Sequence, residues 1–198
     1  MAGRPREFDP ERALEQAMEV FWAQGYEATS VQDLLEAMGI NRGSMYDTFG
    51  DKHTLFVAAI EHYSKTILQR VTDTLESPGS PLGNVQEMLV GWGKMATSRR
   101  TNGGCRGCFL SNTVVELAPH DPAVIRTVRS TLDRIEDSLH EALVRGVAAG
   151  ELSASANCRA LARFLHNTVQ GLVVLGKAGA RRAAVKDILD LTFMVLKA

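Results

Sequence analysis

The residues best suited to chemistry in this 198-residue chain fall in two places. One is the run Asn41-Arg42-Gly43-Ser44-Met45-Tyr46-Asp47-Thr48-Phe49, followed by Asp51-Lys52. An arginine can give a guanine edge two hydrogen bonds, and an aspartate can accept one from a cytosine amino group. A tyrosine hydroxyl or a lysine ammonium suits a phosphate oxygen. Small residues such as Gly43 and Ser44 let a helix backbone approach base edges in a groove roughly 12 Å wide. The other place is Cys105-Arg106-Gly107-Cys108. A thiolate is the reactive form of cysteine, and a nearby cation or helix N-terminus favours it. A second thiol three residues away can close a sulfenic acid into a disulfide.

Each feature also has a plainer reading. Tyr46 fits a half-buried aromatic, Asp47 a solvated acid, and Cys108 a small buried hydrophobe. A single C-x-x-C with His120 nearby supplies too few spaced ligands for a metal site. No histidine–carboxylate pair is placed for catalysis. No metal, no cofactor and no enzyme activity are therefore expected.

Helices must position these groups. Asp9-Pro10-Glu11 is a helix start, with a capping acceptor, a first-turn proline and an acid near the positive dipole end. Ala13, Leu14, Ala17, Met18, Phe21 and Trp22 recur at helical spacing until Gly25. Thr29-Ser30-Val31-Gln32 fits a capping box with Thr29 as the cap. The second helix then carries Val31, Leu34, Leu35 and Met38 and stops at Gly39, Asn41 caps a short third, and Asp51 caps a fourth. Residues 77–84, SPGSPLGN, are the clearest linker-like break. Apolar spacing predicts further helices around Val85–Thr97, Cys108–Leu117, Val124–Leu143, Leu161–Leu175 and Ala184–Val195. No alternating strand pattern is visible, so the fold class is all-α, with about nine helices.

Composition narrows the class. Apolar residues make up 45% and charged residues 23%, with a formal net charge of −1. This is ordinary for a globular protein, and bulk charge points to no polyanion or membrane. No apolar run approaches the roughly 18 residues of a membrane helix. The three cysteines suit reduced thiols better than a disulfide framework.

Two helices, a tight glycine turn and a short polar helix make a helix-turn-helix pattern. At this point the stretch GYEATSVQDLLEAMGINRGSMYDTFGDKHTLF, residues 25–56, resembles the DNA-binding segment of the tetracycline-repressor (TetR) family of bacterial regulators. The resemblance rests on Gly25-Tyr26, Thr29, Gly39, Tyr46 followed by Phe49, and Asp51-Lys52 with Leu55. It implies a DNA-binding domain over residues 1–52, a connecting fourth helix over 52–76, and a ligand-sensing and dimerisation domain over 82–198. Thr29, Tyr46 and Lys52 are then expected at phosphates, and Arg42, Gly43, Ser44, Asp47 and Thr48 at base edges. Arg4 and Arg6 would form a basic arm of the kind that enters a minor groove. The expected partner is a pseudo-palindromic double-stranded operator, the expected location cytoplasmic at the bacterial nucleoid, and the expected action repression. One feature runs against this reading: residues 1–52 hold ten acidic side chains against five basic ones. Non-specific affinity comes from Lys and Arg, so binding should rest on few contacts and on dimerisation.

The second half is expected to dimerise through its last two helices and to sense an unknown small molecule or electrophile. GCRGCFLSNTVVELAPHDPAV, residues 104–124, resembles a segment from one branch of the family, which includes electrophile- and redox-responsive members. That resemblance makes Cys108 the sensor thiol, with Cys105 as resolving partner and Lys177 as an accompanying base. For a small molecule, the expected pocket is lined by Met88, Trp92, Met95, Leu110, Asn112, Thr113, Glu116, Phe164, Asn167 and Gln170. The alternative function is a small thiol-redox protein using Cys105 and Cys108, although the strand–helix setting of such a motif is missing.

Overall fold

The computed structural model describes residues 8–98, 105–118 and 120–197. Its described residues form nine α-helices and no strand: α1 Pro10–Gln24, α2 Val31–Met38, α3 Arg42–Phe49, α4 Lys52–Leu75, α5 Pro81–Ala96, α6 Phe109–Leu117, α7 Pro122–Ala148, α8 Cys158–Lys177 and α9 Arg182–Lys197. None of these helices is long and apolar enough to cross a membrane.

Local chemistry sets the helix ends. Asp9 accepts the Glu11 N–H at 3.0 Å and so caps α1, as the sequence predicts. Asn41 accepts the Ser44 N–H at 2.9 Å and Asp51 accepts the Thr54 N–H at 2.7 Å, which caps α3 and α4 as expected. The start of α2 differs from expectation by one residue. Ser30 is the cap, and Asp33 reaches back to its N–H at 2.8 Å. Thr29 is buried instead, and its hydroxyl donates to the Gly25 carbonyl at 2.6 Å. The buried position falls to Thr29, which leaves its neighbour Ser30 as the capping hydroxyl. The 77–84 segment is a tight corner rather than a linker. Ser80 caps α5, and the buried Asn84 amide donates to Ser77 and Leu75 carbonyls at 2.6 and 3.4 Å.

The chain divides into two compact units. The first comprises Met1–Lys65 with Asn112–Val128, the second Thr66–Ser111 with Arg129–Ala198. The borders of these compact units fall inside α4, α6 and α7. In the first unit Ala13, Ala17, Phe21, Leu34, Met38, Met45, Leu55 and Phe56 make the core. Phe21 meets Phe56 edge-on with centroids 4.9 Å apart, and Tyr26 lies 4.8 Å from Phe56. Such aromatic pairs add specific geometry to area burial. In the second unit α5 packs against α8 and α9 through Ala96, Leu172 and Val185. A Cβ on Gly176 would lie 2.7 Å from the Ala96 Cα, so only glycine allows α8 this close to α5.

Candidate functional site

The eight residues of α3 divide by face. Met45 is fully buried and Phe49 half-buried, and these two anchor the helix. Arg42, Gly43, Tyr46 and Asp47 are exposed, and Ser44 and Thr48 are half-exposed beside them. Tyr46 keeps 45% of its surface in solvent, far more than a core aromatic would. The turn into α3 is set by Gly39, whose φ of 66° lies in the left-handed region. The outer face of α3 thus presents a cation, an acid, a phenol and two hydroxyls on one short helix with a small leading end.

Lys52 opens α4 with its Nζ 4.4 Å from the centroid of the Tyr26 ring. This cation–π contact fixes the lysine stem. Burial, and then Glu27, Asp51 and Asp121, push the Tyr26 phenol above its ordinary pKa. The Asp51 carboxyl sits below its ordinary value, chiefly because it accepts the Thr54 N–H. Thr29 does not join this surface: it is 1% exposed and its hydroxyl is engaged internally, so the expected phosphate contact from its side chain is withdrawn. Arg4 and Arg6 lie outside the described residues.

Sequence reasoning missed Glu116 as a structural residue of this unit. Its carboxylate accepts the Tyr26 N–H at 3.0 Å and the Glu27 N–H at 2.8 Å, which tethers the α1–α2 turn to α6. Gly25 makes the approach possible, since a Cβ there would lie 2.9 Å from a Glu116 oxygen. No local pattern announces a contact across ninety positions. Glu116 is therefore removed from the expected ligand pocket, and Asn112 and buried Thr113 lie with it in the first unit.

In the second unit, the expected pocket residues separate. Met88, Trp92 and Gln170 line a small cavity of about 20 Å³, together with Cys108 and His166. Ser111 donates to Gln170 at 2.5 Å, and the Gln170 amide lies 3.0 Å from His166 Nε2. Burial lowers the His166 pKa, opposed by Glu136 and Asp133, so the neutral ring is favoured. Met95 joins Met88 and Trp92 on an outer groove instead. Leu110 is fully buried core. Phe164 and Asn167, also expected in the pocket, are exposed on α8. Helical spacing alone does not say which side of α8 the core takes.

The two thiols face different spaces. Cys108 is 5% exposed immediately before α6 and lines the small cavity. Cys105 is 7% exposed, accepts the Gly107 N–H at 3.4 Å, and lines a separate hollow with Arg181 and Arg182. Lys177 is exposed in the last turn of α8. Among the described residues no group of three His, Cys, Asp or Glu side chains could hold a metal ion.

Comparison with known proteins identifies relatives of the whole chain. Residues 13–59 match the family model for bacterial regulatory proteins of the tetR family, and residues 81–190 match a tetracyclin repressor-like C-terminal domain. The chain is 34% identical over 195 residues to the uncharacterized HTH-type transcriptional regulator YezE of Bacillus subtilis, covering 98% of this chain and 99% of that protein. It is 30% identical over 191 residues to the HTH-type transcriptional repressor ComR of Escherichia coli, covering 96% and 90%. Among solved structures, a cysteine mutant of the TetR family regulator CifR, complexed with 26-base-pair operator DNA, superposes with a TM-score of 0.83. Its identity is 31%, over 98% of this chain and 100% of that one.

Proposed function

Because the chain belongs to the tetR family of bacterial regulatory proteins, we propose that it is a sequence-specific DNA-binding transcriptional regulator that represses from an operator. The observation that carries this reading is the outer face of α3, where Arg42, Tyr46 and Asp47 stand exposed around buried Met45. Arg42 reads a guanine, Asp47 a cytosine, and Gly43 and Ser44 give the backbone clearance. Tyr46 and Lys52 hold phosphates and set the register. The similarity to CifR, whose cysteine mutant is complexed with double-strand operator DNA, supports operator DNA as the partner here.

The working form is a homodimer. Val174 and Leu175 on α8, with Leu191, Met194 and Val195 on α9, are all more than two-fifths exposed. Two copies that cover these faces would form a four-helix bundle and present two α3 helices to half-sites one helical turn, or a multiple, apart.

Release follows from a signal in the second unit. A small molecule or a modified thiol there must favour a dimer whose α3 spacing no longer suits the operator. Helices α4, α6 and α7 run covalently from one unit into the other and are the available levers. The test is to select bound fragments from a random duplex library and to measure affinity for the recovered site against scrambled DNA. Recovery of a shared palindromic site supports the reading, and equal affinity for scrambled DNA overturns it.

A further inference from the structure

An open groove of about 340 Å³ runs along the C-terminal half of α4 and the middle of α5. Its floor is apolar: Val71 and Met88 are buried, Trp92 and Met95 half-buried. Arg70 on α4 and Lys94 on α5 are exposed among its lining residues, with Glu87 as the single acid among them. Neither cation is in an ion pair with a carboxylate of the described residues. Two cations against one acid leave a net single positive charge over an apolar slot.

Two further facts single this groove out. Met88 and Trp92 also line the small cavity, so they are a shared wall between the two spaces. That small cavity, about 20 Å³, holds no more than about one water, and its polar groups Gln170 and His166 already bond each other, with Ser111 also donating to Gln170. The groove alone of these two is within the usual size of a small-molecule site, roughly 300–1,000 Å³. The second fact is Gly91. Glycine in a helix interior is disfavoured relative to alanine, and a Cβ on Gly91 would meet nothing within 4 Å. Its neighbour Gly93 is different, since a Cβ there would strike Leu189 at 2.8 Å. Packing accounts for Gly93 but not for Gly91, which lines the groove without narrowing it.

We propose that this groove binds an amphipathic monoanion, an alkyl or aryl carboxylate or sulfonate. The head sits on Arg70 and Lys94, whose hydrogen bonds to an anion are charge-assisted. The apolar body lies on Trp92, Met88 and Met95. Glu87 disfavours a second negative charge on the ligand. The site requires neither DNA binding nor thiol chemistry.

The test uses the full chain and two probes, 8-anilinonaphthalene-1-sulfonate and the neutral N-phenyl-1-naphthylamine, followed by probe fluorescence and by quenching of tryptophan emission. One sulfonate per chain is expected, displaced by decanoate. The double variant Arg70→Gln/Lys94→Gln should weaken the sulfonate about tenfold and leave the neutral probe within about twofold. Gly91→Leu should weaken both probes at least about tenfold, while Gly91→Ala retains both. Unchanged sulfonate affinity in the double variant, equal loss of both probes in it, or unchanged binding in Gly91→Leu each overturns the proposal. Operator binding is measured on the same samples: a chain that holds the sulfonate but no operator removes the DNA reading and leaves the groove.

Discussion

His53 Nε2 lies 2.6 Å from a carboxylate oxygen of Asp121, joining the first turn of α4 to the cap of α7 within the first unit. Asp121 also accepts the N–H groups of Ala123 and Val124 at 3.1 and 3.0 Å. The Val124 bond first, and then His53, hold its carboxyl below the ordinary value. A depressed carboxylate stabilises the fold above the unfolded-state pKa, and that contribution is lost as pH falls through the folded value. Asp121→Asn keeps a capping acceptor and removes the charge. Thermal unfolding should therefore lose less stability in the variant than in the parent as pH falls from roughly 5 to 2. Parallel curves for the two proteins would refute this role.

The Glu116 tether gives a second expectation. Glu116→Ala leaves the Tyr26 and Glu27 N–H groups without their acceptor, at a cost of about 1–3 kcal/mol. Gly25→Ala places a methyl 2.9 Å from the carboxylate at a φ of 88°, and should cost at least about 1 kcal/mol. Urea unfolding monitored by tryptophan emission measures both. Operator affinity should fall with stability, since the α1–α2 turn holds the helices that seat α3.

Substitutions on α3 should separate base reading from phosphate holding. Arg42→Ala is expected to cost about 1–3 kcal/mol on the selected operator and to relax preference at one position. Tyr46→Phe and Lys52→Gln should weaken all sequences alike, and Lys52→Gln should also flatten the salt dependence by about one counterion. Titrations at three salt concentrations distinguish the two patterns. An Arg42→Ala protein with unchanged sequence preference would place the reading elsewhere.

The helices were legible because their caps are local. Asp9, Asn41 and Asp51 each bond to a backbone group two or three residues on, so residue type and position were enough. The α2 cap was misplaced because Thr29 and Ser30 are both good caps, and only burial separates them. The α3 surface was readable from composition, since exposed small and polar residues beside Met45 have no packing use. The pocket was not. Phe164 and Asn167 follow the same spacing as the core positions of α8, and which stripe faces inward depends on α5 and α9. Glu116 lies ninety residues from its partner Tyr26, beyond any local rule.

Thiol accessibility gives a direct check on sensing. Cys158 is half-exposed, whereas Cys105 and Cys108 are buried. An uncharged alkylating reagent should label Cys158 first, and the other two more slowly than a free peptide thiol, because reaction needs an exposed thiolate. If Cys108 is the sensor, Cys108→Ser abolishes electrophile-induced release from the operator. Full release in that variant would leave Cys108 as a buried packing residue.

The dimer expectation is the most exposed to failure. Leu191 and Met194 are 63% and 66% exposed on α9, one turn apart on the same side. Fully burying two such side chains is worth about 1.5–3 kcal/mol each, and a twofold axis applies the contribution to both copies. Leu191→Glu with Met194→Glu places charges at the centre of that face, where an unpaired buried charge is strongly unfavourable. Sedimentation at micromolar concentration should show a dimer for the parent and a monomer for the variant. The monomer should melt as a folded chain, because neither residue belongs to the core of its own unit. It should also lose most operator affinity, since a single α3 with few cations beside it makes too few phosphate contacts. A variant that remains dimeric would move the interface away from α9, and a monomer that binds the operator as tightly as the parent would remove dimerisation from the binding mechanism.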